Sequence, residues 1–339
     1  MEALTGSVED LEWIAVEESS APGRVRRSAT SVARRLGFSE HRVGEVAIAA
    51  TELATNLHRH AVEGAVLVRV RRDAGEAAVE LVVVDGGPGV ADLGDVARDG
   101  TSSAGTLGIG LGAAMRLSTW FDSHSVLGRG TVMVATFWPA AAPVARPNVA
   151  ALTREMGGET VCGDACAERR RGGATTLMLA DGLGHGELAA IAAREAVRAF
   201  IGETDAGAKP ATTIRRLDRV LRSTRGAAVA IVELDAAART VTFAGVGNVA
   251  GWVDDGEQRR ALVSNPGIVG NNAKTIREFE TALPDGALVV LHSDGLTSKW
   301  DLRAYPGLRQ RDPHLVAATL MRDAGVRHDD ASVIVARAS

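Results

Sequence analysis

The sequence predicts two α/β (α+β) domains in tandem: helices on one side of a mostly antiparallel sheet, then two sheets covered by helices. Three observations predict this. Apolar residues recur at helical spacing through residues 22–37 and 39–61, ahead of runs that read as strands. One break in composition, Pro139-Ala140-Ala141-Ala142-Pro143-Val144-Ala145-Arg146-Pro147, reads as a semi-rigid spacer. Beyond it, strand-like runs are more numerous and alternate with long helices. At 339 residues the chain has room for both domains. The expected division is residues 1–138, a linker at 139–149, and residues 150–339.

In the first domain, Val25, Ala29, Val32, Ala33 and Leu36 share one face of a helix over 22–37. A second helix, capped by Ser39, runs to about Ala61. Its apolar face is Val43, Val46, Ala47, Ala50, Leu53, Ala54 and Leu57. Strands follow near 65–71 and 78–84. A glycine-rich loop leads to a helix near 110–120, and the strand Thr131–Phe137 closes the domain. In the second domain strands are expected near 175–180, 227–234, 240–246, 287–292 and 331–336. Helices are expected near 187–201, 210–222 and 313–324.

Composition removes several function classes. Hydrophobic residues make up 46% and charged residues 24%, the balance of a soluble globular protein. The net charge of −4 comes with no basic arm or patch, which argues against nucleic acid. No apolar run approaches the roughly 20 residues of a membrane span, and the acidic start MEALTGSVEDLEW has no signal-peptide pattern. A cytoplasmic location is expected. Cys162 and Cys166 are too few for a disulfide framework and read as reduced, packed thiols.

Two sets of chemically apt residues stand out. Glu52 and Asn56 are four apart on the second helix and share a face. Asn56 offers magnesium a neutral oxygen, and Glu52 can orient or deprotonate an attacking hydroxyl. Asp85 ends an apolar strand and opens Gly86-Gly87-Pro88-Gly89. A carboxylate there can accept the exocyclic amine of adenine, and the glycines let backbone approach a nucleotide. Gly108-Ile109-Gly110-Leu111-Gly112 opens the next helix, where free N–H groups favour phosphate. In the second domain Asp181 and Asp294 follow apolar strands, Asp329 precedes one, and Asp164 supplies a fourth carboxylate. Strand ends presenting Asp are expected to converge on one edge of a sheet, an oxygen-rich site for magnesium or manganese.

The ordered series in the first domain, with Asp99 to Leu111 as its nucleotide lid, resembles the GHKL ATPase fold. Within that fold it is most similar to RsbT-type switch kinases of bacterial partner switching, over about residues 10–138. The resemblance implies an N-terminal α/β sandwich that binds ATP with Mg2+. It implies Glu52 as catalytic base, Asn56 as magnesium ligand, and Asp85 as adenine contact. Gly87, Gly89, Gly108, Gly110, Gly112 and Thr131 would line the site. Residues 150–339 resemble the PPM metal-dependent serine/threonine phosphatases of the SpoIIE and RsbX branch. The matching stretches include Cys162-Gly163-Asp164, Asp181-Gly182-Leu183-Gly184-His185-Gly186, Ser293-Asp294-Gly295 and Asp329-Asp330-Ala331-Ser332. That resemblance implies an α-β-β-α sandwich holding two Mn2+ or Mg2+ through Asp164, Asp181, the Gly182 carbonyl, Asp294 and Asp329. Asp330 is the weaker partner of its pair, and His185 is left outside the metal set.

Together these imply a bifunctional regulator that phosphorylates a Ser or Thr and hydrolyses phosphoserine or phosphothreonine. The expected partners are STAS-domain antagonist or scaffold proteins, with a sigma factor or a downstream phosphatase as further candidates. The competing reading makes the first domain an ATP-responsive module that captures a sigma factor or STAS protein without phosphorylating it. Glu52 favours the kinase, because nucleotide binding alone needs no base.

Overall fold

Helical spacing in the first domain becomes α1 (Ala21–Arg35) and α2 (Glu40–His60). Ser39 caps α2 by accepting from the Arg42 N–H at 3.2 Å, satisfying one of the free donors of the first turn. Their apolar faces enter one core, with Val25, Ala29 and Val32 opposite Val46, Leu53 and Leu57. Ala49 is buried on α2, whereas Ala47 is only half-buried. The computed structural model describes residues 8–73, 75–91, 107–140, 148–171, 173–202, 208–271, 273–326 and 328–338. Most of the expected nucleotide lid and of the Pro/Ala spacer lies outside the described residues.

The strands here are β1 (Val8–Ala15), β2 (Ala65–Asp73), β3 (Glu76–Asp85), β4 (Trp120–Val126) and β5 (Gly130–Phe137), with α3 (Leu107–Leu117) before β4. They form one sheet in the order β1-β2-β3-β5-β4, antiparallel at every pairing. Alternation sorts its two faces. Val66, Val68, Val79, Leu81, Val83 and Ala135 join the helices in the core. On the opposite face Arg69, Glu80 and Thr136 are paired across adjacent strands and fully buried.

That second face is covered from an unexpected part of the chain. Two compact units form: one draws on Gly6–Arg146 together with Ala304–Arg322, the other on Pro147–Arg303 and Asp323–Ser339. Residues 304–322, expected in the second domain, therefore belong with the first. They carry most of α6 (Pro313–Ala324), whose residues 313–321 are all buried. A helix buried all round is a core element, a role its sequence periodicity alone does not assign to either domain.

In the second unit, β6 (Val149–Arg154), β7 (Asp164–Arg171), β8 (Ala174–Gly182), β9 (Ala227–Asp235) and β10 (Thr240–Val246) come first. Then follow β11 (Ala250–Asp254), β12 (Arg259–Leu262), β13 (Glu278–Ala282), β14 (Leu288–His292) and β15 (Ala331–Arg337). They make two five-stranded sheets, β13-β10-β9-β8-β7 and β12-β11-β14-β15-β6. Leu177, Leu179, Val232 and Phe243 of one sheet pack with Val253, Val289, Leu291 and Ile334 of the other. The first sheet's outer face, through Met178, Ala180, Val229 and Ile231, is covered by α4 (Glu187–Ile201) and α5 (Pro210–Val220). Charged β7 and half-exposed β13 are edge strands; neither alternates clearly enough to be read from sequence.

Candidate active sites

Asp85 sits at the end of β3 opposite Thr131 at the start of β5. Its Oδ1 accepts from the Gly87 N–H at 2.7 Å and its Oδ2 from the Thr131 N–H at 3.2 Å. Burial raises its pKa above the ordinary carboxylate range; the Gly87 amide, the Arg322 charge and the Thr131 donors oppose that rise without cancelling it. Two glycines shape the loop around it. Gly130 takes φ 77° with its Cα against the Asp85 carbonyl, where a Cβ would stand 2.0 Å from that oxygen. Gly89 takes φ 64° against the Val126 carbonyl, again with no room for a side chain.

Glu52 and Asn56 are both half-buried on α2, clear of its buried stripe. α3 packs along α2, and a Cβ on Gly110 would fall 2.1 Å from Glu52 Oε2. Gly110 therefore brings the lid helix directly against the catalytic candidate. The helix begins at Leu107, so Gly108 and Gly110 lie among the first four residues, whose N–H groups lack intrahelical partners. Gly112 lies beyond them and is buried. The structure thus gathers Asp85, Gly87, Gly89 and Thr131 at one strand-end cluster and Glu52 and Gly110 at the α2–α3 contact, with Asn56 one turn further along α2.

In the second unit the four carboxylates come from both sheets, two from each, rather than from one sheet edge. Asp164 starts β7 and is paired in register with Asp181 near the end of β8. Asp294 follows β14 and Asp329 precedes β15, neighbours in the facing sheet. Asp164 is buried, and burial pushes its pKa to about 7, with Asp330 and Asp294 adding repulsion and Ser293 and Ser332 opposing it. Asp181 rises to about 9, first by burial and then by Asp164, Asp294, Asp329 and Asp330. Asp329 is raised as well, by burial and then Asp294. Asn248 donates to Asp294 Oδ2.

Sequence reasoning missed several supports of this cluster. Both oxygens of buried Asp330 are occupied, accepting from the Met156 N–H at 2.8 Å and the Gly163 N–H at 2.9 Å. It thereby fixes the loop that presents Asp164. Ser293 and Ser332 bond each other's strand ends and flank Asp164. Gly182 lies against the Ala189 carbonyl, where a Cβ would stand 2.1 Å away, so the loop after Asp181 is pressed onto α4. His185 Nδ1 meets Glu159 Oε1 at 2.7 Å on the rim. Cys162 is far too acid-weak for a thiolate role: burial and then Asp164 push its thiol up.

The donor set fits divalent cations. Asp164 Oδ2 is buried without a hydrogen-bond partner, and four neighbouring carboxylates repel one another. Oxygen-only donors with uncompensated negative charge match magnesium and manganese. Among the described residues no three His, Cys, Asp or Glu side chains close around a single point.

Comparison with known proteins matches two separate stretches of the chain to two families. Residues 16–137 match the family model described as histidine kinase-like ATPase domain, and residues 171–339 that of stage II sporulation protein E. The serine/threonine-protein kinase RsbT of Bacillus subtilis (strain 168) is 34% identical over 113 residues, 33% of this chain and 85% of that protein. The chain belongs to the RsbT kinase family. It joins an RsbT-type kinase-like ATPase domain to a SpoIIE-type PPM serine/threonine phosphatase domain. A chain from a structure of the bacterial stressosome is 32% identical, with a TM-score of 0.51, covering 56% of this chain and 98% of that one. A structure of RsbX in complex with magnesium is 20% identical, with a TM-score of 0.49, covering 56% and 94%. No helix among the described residues is long and apolar enough to cross a membrane.

Proposed function

We propose that this RsbT-type protein is a two-way phosphate switch. Its ATPase unit phosphorylates a Ser or Thr of a STAS-domain partner, and its phosphatase unit hydrolyses such a phosphoester. The observation that carries the reading is the carboxylate setting: buried Asp164, whose Oδ2 lacks a partner, and half-buried Asp181 repel one another and the neighbouring carboxylates. In the ATPase unit Gly110 meets Glu52 on α2, and Asn56 follows Glu52 one turn on. There Asn56 would hold the magnesium of ATP, Asp85 would accept the adenine amine, and Glu52 would take the hydroxyl proton. In the phosphatase unit Asp164, Asp181, the Gly182 carbonyl, Asp294 and Asp329 would hold two Mn2+ or Mg2+. Bound ions there supply Lewis acidity toward the phosphoryl group and make a water acidic enough to attack it. Asp330, with both oxygens engaged, instead holds Gly163 and Met156 in place.

The test uses the full chain with magnesium, labelled ATP and a STAS-domain protein, alongside manganese-dependent hydrolysis of p-nitrophenyl phosphate. Glu52→Ala is expected to keep ATP affinity and lose transfer, while Asp85→Asn weakens ATP about ten- to hundredfold, a lost charged hydrogen bond being worth about 1.5–3 kcal/mol. Tight partner binding without transfer in the wild type would leave a nucleotide-dependent binding module in place of the kinase. Full phosphatase turnover in chelator would remove the metal assignment.

A further inference from the structure

Within the phosphatase unit, the loop that follows Asp181 is gripped by the turn ahead of β9. Asp181 and Gly182 pair in register with Ala228 and Ala227, and the Leu183 N–H donates to the Gly226 carbonyl at 3.0 Å. The backbone on both sides of Arg225 is fixed in that turn. The Thr224 hydroxyl donates to the Leu221 carbonyl at 2.7 Å and accepts from the Gly226 N–H at 3.0 Å. Two residues on, Ala227 and Val269 exchange backbone hydrogen bonds of 2.9 Å. Arg225 stands exposed between these anchors.

Its side chain reaches back over the Asp181 loop. Arg225 Nη1 stands 3.2 Å from where a Cβ on Gly184 would lie, so a residue without a side chain leaves the guanidinium its place. Gly184 is three residues beyond Asp181. The next residue, His185, is close enough to Asp329 to offset part of the rise in its pKa. The loop under Arg225 thus runs from one proposed metal ligand to the neighbourhood of another. Among the described residues Arg225 has no hydrogen-bond or ion-pair partner, whereas Arg222, exposed like it on the same turn, pairs with Asp218 at 3.8 Å.

Charge balance gives that free cation a task. Asp164, Asp181, Asp294, Asp329 and Asp330 repel one another at the site. Ionised, they carry one negative charge each, and two divalent cations leave their sum slightly negative. A phosphate monoester brings about −1.5 to −2 more at neutral pH. A cation at the mouth of the site offsets that addition, and a guanidinium offers a rigid fork of N–H donors that matches two phosphoryl oxygens.

We propose that Arg225 is a substrate-binding residue of the phosphatase unit, taking the phosphoryl oxygens of a phosphomonoester at the mouth of the carboxylate cluster. This rests on the phosphatase reading of that unit and adds to it a residue that holds substrate rather than metal. Gly184 is its seat, and the Thr224 and Gly226 hydrogen bonds hold its backbone in place before substrate arrives.

The experiment uses the full chain. Hydrolysis of p-nitrophenyl phosphate is measured at saturating manganese, with inorganic phosphate as competing inhibitor, and the half-saturating manganese concentration is measured separately. Arg225→Ala is expected to raise KM and to weaken phosphate inhibition, each about ten- to hundredfold, the loss that follows removal of a charged hydrogen-bond donor. The half-saturating manganese concentration should not rise, because removing a cation cannot weaken a dication site by charge. Arg225→Lys, which keeps the charge and loses the fork, is expected to recover part of the phosphate affinity. If Arg225→Ala melts early, Arg225→Gln decides, and it must show the same loss of phosphate inhibition. Wild-type KM and phosphate inhibition in a folded neutral variant overturn the assignment. So does a rise in the manganese requirement that matches the loss of phosphate affinity, which would make Arg225 a support of the metal loop. A wild type with no manganese-dependent hydrolysis sinks the phosphatase reading itself, and this assignment with it.

Discussion

Fully buried Glu80 in the nucleotide unit and half-buried Asp181 in the phosphatase unit are both carboxylates partly or wholly desolvated by the fold, and they fare in opposite ways. Burial raises Glu80, but His314, Arg69, Arg71 and the Thr136 hydroxyl outweigh it and leave its pKa below the ordinary value. Asp181 is raised to about 9 because its neighbours are more carboxylates. The protein supplies Glu80 with its own counter-charges; Asp181 and Asp164 are left for something else to neutralise. A buried charge compensated from within is structural, and a buried charge that lacks compensation marks a ligand site.

The largest expected effect tests the uncompensated side. Asp181→Asn removes one charge from the proposed dication site, so manganese-dependent turnover should fall on the order of a hundredfold or more. The metal-free protein should at the same time melt no earlier than wild type, because repulsion is relieved. A lower melting temperature together with retained turnover would make Asp181 a structural residue like Glu80. Glu80→Ala gives the reverse pattern: loss of about 3–5 kcal/mol of stability, since Arg69 and Arg71 stay buried without their anion. Chemical denaturation of the full chain measures it, and a cost below about 1 kcal/mol would make the cluster ornamental.

Acid titration sharpens the same contrast. Asp164 and Asp181 bind protons more tightly in the fold than in the unfolded chain, with pKa values of about 7 and about 9. In the metal-free protein the folded state therefore holds more protons than the unfolded one between the ordinary aspartate value and about pH 9. Their contribution to stability falls as pH rises through that window, at most about 1.4 kcal/mol per pH unit for each proton held. Glu80 has the opposite sign: its contribution is present above the ordinary glutamate value and is lost as pH falls through its depressed pKa. Thermal melts from pH 5 to 9, with and without manganese, isolate the phosphatase trend, because Glu80 stays ionised throughout that range while bound metal should flatten the phosphatase trend and release protons on binding. A metal-free phosphatase unit that grows steadily more stable toward pH 9 would contradict the carboxylate assignment. The smallest effect is Ser39→Ala, about 1 kcal/mol for a lost helix cap, and it should leave both activities intact.

Much of this was legible in the chain. The stripe Val43, Val46, Ala50, Leu53 and Leu57 fixes which face of α2 is buried, and hence that Glu52 and Asn56 lie off it. Apolar runs ending in Asp85, Asp181 and Asp294 placed carboxylates at strand ends, because period-2 runs and turn glycines are local signals. The edge strands β1, β4, β7 and β13 were not legible, since half-exposed strands lack a clean alternation. Nor was the convergence of Asp164 and Asp181 with Asp294 and Asp329 from two facing sheets. Sheet pairing joins residues far apart in sequence, and no local pattern encodes which strands meet.

The sequence by itself determined the element types, the tandem of two α/β domains and the residue chemistry of both candidate sites. Only the tertiary structure decided that Arg69, Glu80, His314 and Asp312 form one buried ionic cluster, and that residues 304–322 fold with the first unit. The reason is physical. Local sequence fixes backbone preference and which face of an element is apolar, whereas the partner that compensates a buried charge is chosen by packing over long separations. Asp330 shows the same rule at the smallest scale: beside Asp329 in sequence, it is set apart only because the amides of Met156 and Gly163 reach it.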